Sequence, residues 1–171
     1  MVSSPPLWQG VYYGISAGYG WGESAGVSPE GFAASVTAGY NHQVGPLVIG
    51  IEGDFGYING EDSAAGGLFR SELGPLWATA RGRAGLAFGR ALLYGTGGAA
   101  FAQTDVTIAG DSNDDWRTGW VAGGGLEWAL GSRTSAKVEY LHMDFGQNSE
   151  LAGFAFDEKI DLVRLGLNFR F

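Results

Sequence analysis

The sequence predicts an all-β chain of eight antiparallel strands joined up and down, and three observations carry that prediction. Apolar residues recur with a period of two along segment after segment, which marks strands rather than helices. Gly supplies 31 of the 171 residues and Pro only 5, without the Gly-X-Y repeat of collagen. No run of 18 apolar residues occurs, so no transmembrane helix is expected. Aromatic residues, at 13%, argue against disorder. The length suits one domain, 1–171, with 1–7 as a flexible N-terminal segment.

The strands follow in order. In the first, Val11, Tyr13, Ile15, Ala17, Tyr19 and Trp21 alternate with Tyr12, Gly14, Ser16, Gly18 and Gly20. In the second, Phe32, Ala34, Val36, Ala38 and Tyr40 alternate with Ala33, Ser35, Thr37, Gly39 and Asn41. The third sets Leu47, Ile49, Ile51, Phe55 and Tyr57 against Gly50, Glu52, Asp54 and Gly56. The fourth sets Leu76, Ala78, Ala80, Ala84 and Leu86 against Trp77, Thr79, Arg81 and Arg83. The fifth, about 91–104, alternates least: Leu93 and Phe101 share one parity, Tyr94, Thr96 and Gly98 the other. The sixth sets Trp116, Trp120, Ala122, Leu126 and Trp128 against Val121, Gly123, Gly125 and Glu127. The seventh sets Ala136, Val138 and Tyr140 against Lys137, Glu139 and Leu141. The last sets Val163, Leu165, Leu167, Phe169 and Phe171 against Leu162, Arg164, Gly166, Asn168 and Arg170.

Connections alternate in length. Short ones fall near Val44–Leu47, Ala87–Arg90 and Leu130–Ser135. Long polar ones fall near Glu23–Gly31, Asn59–Leu73, Ile108–Asp115 and Gly146–Lys159. An up-and-down barrel with one plain rim and one elaborated rim produces this alternation.

Volume decides which face points inward. Eight strands enclose a space just wide enough for side chains to fill. The apolar face is bulky, whereas the opposite face is largely Gly, Ser, Thr and Ala, so the small face is expected inside and the apolar face toward lipid. The alternative is a soluble lipocalin-like carrier with its apolar face inward. Charge supports the first arrangement. Glu52, Asp54, Glu127 and Glu139 share the small-residue parity with Arg81, Arg83, Lys137, Arg164 and Arg170. Buried charges are costly unless paired, and four acids with five bases can pair in a narrow lumen. Glu52 and Asp54 are expected to face Arg81 and Arg83 on the next strand.

Most remaining acids fall in the long connections, among them Glu61, Asp62, Asp111, Asp114, Asp115 and Glu150. The net charge of −8 is therefore mainly a property of one rim, and it argues against a nucleic-acid partner. Aromatic residues near strand ends on the apolar face (Tyr19, Trp21, Tyr40, Tyr57, Trp116, Trp128, Phe169 and Phe171) suit the interfacial girdles of a barrel in a bilayer.

The segments Trp8-Gln9-Gly10-Val11-Tyr12-Tyr13-Gly14, Val48-Ile49-Gly50-Ile51-Glu52-Gly53-Asp54-Phe55 and Arg81-Gly82-Arg83-Ala84-Gly85 have a familiar order. So do Leu93-Tyr94-Gly95-Thr96-Gly97-Gly98, Gly123-Gly124-Gly125-Leu126-Glu127-Trp128, Val138-Glu139-Tyr140-Leu141 and the closing run from Val163 to Phe171. Together they resemble the small porin-family outer-membrane β-barrels of alphaproteobacteria, the outer-membrane immunogenic protein group of the OmpA-like class. The resemblance implies short periplasmic turns, longer extracellular loops and an outer-membrane location after removal of a signal peptide not present in this chain. It also implies that Leu165, Leu167, Phe169 and Phe171 form the signal read by the barrel-assembly machinery. Outer-membrane lipids, lipopolysaccharide and other envelope proteins are the implied partners.

The chain has no G-x-x-x-x-G-K-[ST] and no H-E-x-x-H motif, and no Cys for a disulfide or a Cys-ligated metal. His42 and His142 lie on different strands without a carboxylate or Ser at suitable spacing, and no His shares the parity of Ser16 or Ser35 nearby. No enzyme and no cofactor are therefore expected. The expected role is a structural envelope barrel with a charge-plugged lumen and acidic loops. The alternatives are a small diffusion porin, or loop-mediated binding of hemin, a host surface or an envelope protein.

Overall fold

The computed structural model describes residues 7–23, 30–60, 76–108, 111–145 and 159–171. Eight strands follow one another: β1 (Gly10–Glu23), β2 (Glu30–Val44), β3 (Leu47–Gly60), β4 (Leu76–Phe88), β5 (Ala91–Ile108), β6 (Asp111–Ala129), β7 (Thr134–Asp144) and β8 (Lys159–Arg170). Each pairs antiparallel with its neighbours in sequence, and β1 pairs with β8 to close the barrel. Closure leaves no unpaired strand edge, as a wall surrounded by hydrocarbon requires.

Local chemistry sets the plain rim. Gly45 and Gly89 have φ of 60° and 61°. Each opens a two-residue turn between strand partners, Val44↔Leu47 and Phe88↔Ala91. A positive φ at that first position matches the twist of the flanking strands, and Gly adopts it without strain. The turn from β6 to β7 is held by Leu130 and Gly131 N–H groups donating to the Thr134 carbonyl at 2.9 and 3.1 Å.

One expected connection is corrected. The sequence suggested a long polar loop near Ile108–Asp115, but β5 and β6 remain paired out to Ile108↔Asp111. The β-branched residues Thr104, Val106, Thr107 and Ile108 favour extended backbone and prolong the ladder. Asp111, Asp114 and Asp115 therefore belong to β6. Of the remaining connection acids, Glu23 and Glu30 end β1 and begin β2, and those at 61–75 and 146–158 lie outside the described residues, as do residues 1–6 of the N-terminal segment.

Side chains alternate across the wall. Along β4, Trp77, Thr79, Arg81 and Arg83 are buried, while Ala80, Gly82 and Ala84 are exposed. Large apolar residues stand outward from every strand, including Ile15, Val36, Ile51, Phe55, Leu93, Leu126, Val138 and Leu165. A soluble carrier would show the reverse arrangement.

Candidate functional site

The lumen holds all nine charged residues singled out by parity: Glu52, Asp54, Arg81, Arg83, Glu127, Lys137, Glu139, Arg164 and Arg170 are each buried. Strand register alone brings some together, since Glu52 is the cross-strand partner of Arg81 and Glu139 that of Arg164. Most contacts instead cross the interior between strands that are not neighbours.

Arg81 pairs with Glu52 and Asp54 through Nη2, and its Nη1 donates to Glu139 on β7 at 3.4 Å. Arg83 donates to Glu127 on β6 at 2.9 Å and to the Tyr12 hydroxyl on β1 at 3.0 Å. Arg164 donates through Nε to Glu139 at 2.7 Å, through Nη1 to Ser35 Oγ at 3.0 Å and through Nη2 to Asp54 at 3.1 Å. Lys137 Nζ stands 3.6 Å from Glu52 and 3.9 Å from Glu139. Arg170 donates to Ser135 Oγ at 2.8 Å and to Glu127 at 3.3 Å. Uncharged donors complete the carboxylates: Thr37 and Thr79 on Asp54 at 2.5 and 3.0 Å, and Ser135 and Asn168 on Glu127 at 2.5 and 3.0 Å. Dry charges persist where paired and hydrogen-bonded in this way.

The interior is bulkier than the sequence reading allowed. Tyr12 donates to Glu52 at 2.7 Å, and Tyr94 to Glu139 at 2.7 Å. The Arg83 guanidinium lies 3.9 Å from the centre of the Tyr94 ring, a cation–π contact. Two apolar clusters flank the charged layer. Toward the long connections, Trp77, Ala100, Val121, Leu141, Met143, Phe145 and Leu162 pack together. Toward the short turns, Val48, Leu92, Tyr94 and Ala129 pack around Trp8.

Trp8 is not among the site residues expected from the sequence. It precedes β1, yet it is fully buried and enters the short-turn mouth. Its backbone N–H donates to Gln43 Oε1 at 2.9 Å, its ring centre lies 4.6 Å from the Arg170 guanidinium, and Arg170 also holds the Leu7 carbonyl. Leu7, the last residue of the expected flexible segment, is thus tied to β8. Two residues before the strand, an isolated indole carries no periodic signal.

The outward face carries the aromatic positions. Tyr19, Trp21, Tyr40, Tyr57, Trp128 and Phe169 are exposed, as are Leu165, Leu167 and Phe171 along the closing strand. Trp21 and Tyr57 stand toward the long connections; Tyr40, Trp128 and Phe169 stand toward the short turns. Trp116 lies on β6 opposite Gln103, and its side chain is outside the described residues.

One outward polar group was missed. His142 Nδ1 lies 2.7 Å from Asp161 Oδ1, and the Tyr140 hydroxyl donates to the same oxygen at 2.5 Å. Spacing along the chain does not reveal this carboxylate, because Asp161 faces His142 only through the β7–β8 register. Among the described residues no cluster of three His, Cys, Asp or Glu groups could hold a metal.

Comparison with known proteins places this geometry. A family model, the outer membrane protein β-barrel domain, matches residues 3–171. The chain is 31% identical to the 25 kDa outer-membrane immunogenic protein of Brucella abortus, over 96% of this chain and 79% of that protein. It is 33% identical to the 22 kDa outer membrane protein of Rhizobium leguminosarum, over 96% of this chain and 78% of that protein. Among solved structures, Neisserial surface protein A superposes with a TM-score of 0.67 at 13% identity, covering 94% of this chain and 97% of that one. Ail of Yersinia pestis superposes with a TM-score of 0.59 at 20% identity, covering 95% and 99%.

Proposed function

Because the chain belongs to the outer membrane protein β-barrel family, we propose that it acts as a structural barrel of the outer membrane whose lumen does not conduct. The observation that supports this reading most is the cross-lumen charge layer. Arg81, Arg83 and Arg164 reach from β4 and β8 to carboxylates on β3, β6 and β7, and every one of these groups is buried. An ion crossing the lumen would have to displace these pairs and pass both apolar clusters. Aqueous channels go with 16–18 strands, and this barrel has eight.

In this reading the short turns face the periplasm, and the long connections with the strand ends beside them face outward, together carrying most of the acidic residues. The immunogenic relatives, named for what they elicit, favour a surface-facing rim. Contacts with outer-membrane lipids and lipopolysaccharide, and delivery by the barrel-assembly machinery through Leu165, Leu167, Phe169 and Phe171, complete the reading. Hydrolytic or redox chemistry has no place in it.

Single-channel recording in planar bilayers tests the closed lumen. We expect no steady conductance from the parent protein. Arg83→Ala combined with Trp8→Ala, which removes one layer contact and the plug at the short-turn mouth, should admit intermittent ion steps. Large, steady conductance from the parent protein would instead establish a diffusion porin.

A further inference from the structure

Near the long-connection rim the largely apolar outer wall carries a hydrogen-bonded polar group. Asp161 is the third residue of β8, and His142 is the third from the end of β7. Among the described residues, no other outward carboxylate accepts a side-chain hydrogen bond. Asp161 and His142 remain partly open, with side-chain exposures of 24% and 29%. Charged side chains are costly at the bilayer midplane and nearly neutral at its interface, which suits their position close to the strand ends.

Two exposed indoles flank the pair. Trp120 lies with its ring 5.5 Å from the His142 ring and is 50% exposed. Trp21 is the β1 partner of Asp161 and is 42% exposed. The indoles are three strand spacings apart, or roughly 15 Å once the offset along the strands is included. Between them Asp161 Oδ2 and His142 Nε2 bear no hydrogen bond among the described residues. An anionic acceptor beside an imidazole, set between flat aromatic faces, suits a sugar. The indoles pack on the C–H faces of pyranose rings, while the carboxylate and imidazole take the hydroxyls. A bare phosphate does not suit the place, because the nearest fixed charge is the Asp161 carboxylate.

We propose that Trp120, Tyr140, His142, Asp161 and Trp21 form a sidewall site for the sugar headgroup of an outer-leaflet glycolipid. This deepens the structural reading above and rests on its placement of the long-connection rim in the outer leaflet. Tyr140 is a positioning residue, since its hydroxyl orients the carboxylate. A disaccharide spans most of the distance between the two indoles, so a two-sugar headgroup fits better than one.

The test uses the folded, detergent-purified barrel, with heat-modifiable gel migration as the check on folding. Retention of lipid A, a diglucosamine glycolipid, is measured by native mass spectrometry, in its phosphorylated form and after phosphate removal. Phosphatidylglycerol serves as the competing lipid. We expect both forms of lipid A to be retained over phosphatidylglycerol. Asp161→Asn and Trp120→Leu should each weaken retention by about tenfold, as the loss of one charge-assisted contact implies. Trp128→Leu, on the opposite rim, should leave it unchanged. Equal retention by Asp161→Asn, or binding of the phosphorylated form alone, overturns the proposal. Amine labelling of intact cells separates the two readings: Lys159 at the start of β8 is exposed, whereas Lys137 is buried. Failure of Lys159 to label would overturn the outward orientation, and with it the outer-leaflet site, even if retention in detergent persisted.

Discussion

The inner and outer faces of this wall both carry glycine, but for opposite physical reasons. A methyl group at Gly39 would stand 2.5 Å from the Tyr12 ring, and one at Gly125 would stand 2.7 Å from the Tyr94 hydroxyl. At Gly56 it would enter the Trp77 indole, and at Gly166 it would meet Ser16 Oγ at 2.7 Å. On the outer face, a methyl at Gly82 or Gly95 would have its nearest neighbour at 3.9 Å, and at Gly97 at 3.6 Å. Gly39, Gly56 and Gly125 are recesses into which Tyr12, Trp77 and Tyr94 fold. Gly82, Gly95 and Gly97 carry no such obligation. The lumen is therefore packed to a solid, while the lipid-facing wall tolerates change.

Predictions that break or sharpen this contrast run from the charged interior to the open wall. Arg83→Ala leaves Glu127 and Glu52 short of a cation and removes the cover of the Tyr94 ring. It should cost about 3 kcal/mol, read as a lower urea midpoint in detergent micelles. Gly56→Ala should cost about 1–3 kcal/mol by driving Trp77 off its rotamer. Adding Trp77→Leu to Gly56→Ala should return part of that loss, which ties the effect to the indole. Gly97→Ala should shift the midpoint by less than about 0.5 kcal/mol. Equal losses for Gly56→Ala and Gly97→Ala would erase the distinction between the faces.

The sequence shows the wall far better than what fills it. Period-two alternation and the spacing of connections are local, so strand number, topology and the inward set from Glu52 to Arg170 could be read directly. Adjacent leucines blurred β5: Leu92 is buried and Leu93 exposed, and both are equally apolar. The small-residue character of the inner parity predicts an interior of small side chains. The glycines instead make room for large ones, and recognising that requires knowing which residue lies across from each gap. The long loop expected at Ile108–Asp115 is paired strand instead, because the β-branched run beside the acids carries the ladder outward. His142 and Asp161 sit 19 residues apart and meet only by register.

The contribution of β8 to the charged layer has a consequence for the order of assembly. Arg164, Asn168 and Arg170 all arrive on the final strand, and they serve carboxylates on β3, β6 and β7. The Arg164 contact to Ser35 joins positions 129 residues apart. Until the last dozen residues are made, an open sheet holds Asp54, Glu127 and Glu139 against fewer cations than they need. A partly translated chain thus has little reason to settle into hydrocarbon early. Loop-closure entropy delays such distant contacts further, so neutralisation of the interior and sealing of the β1–β8 seam fall together, as one late and cooperative event.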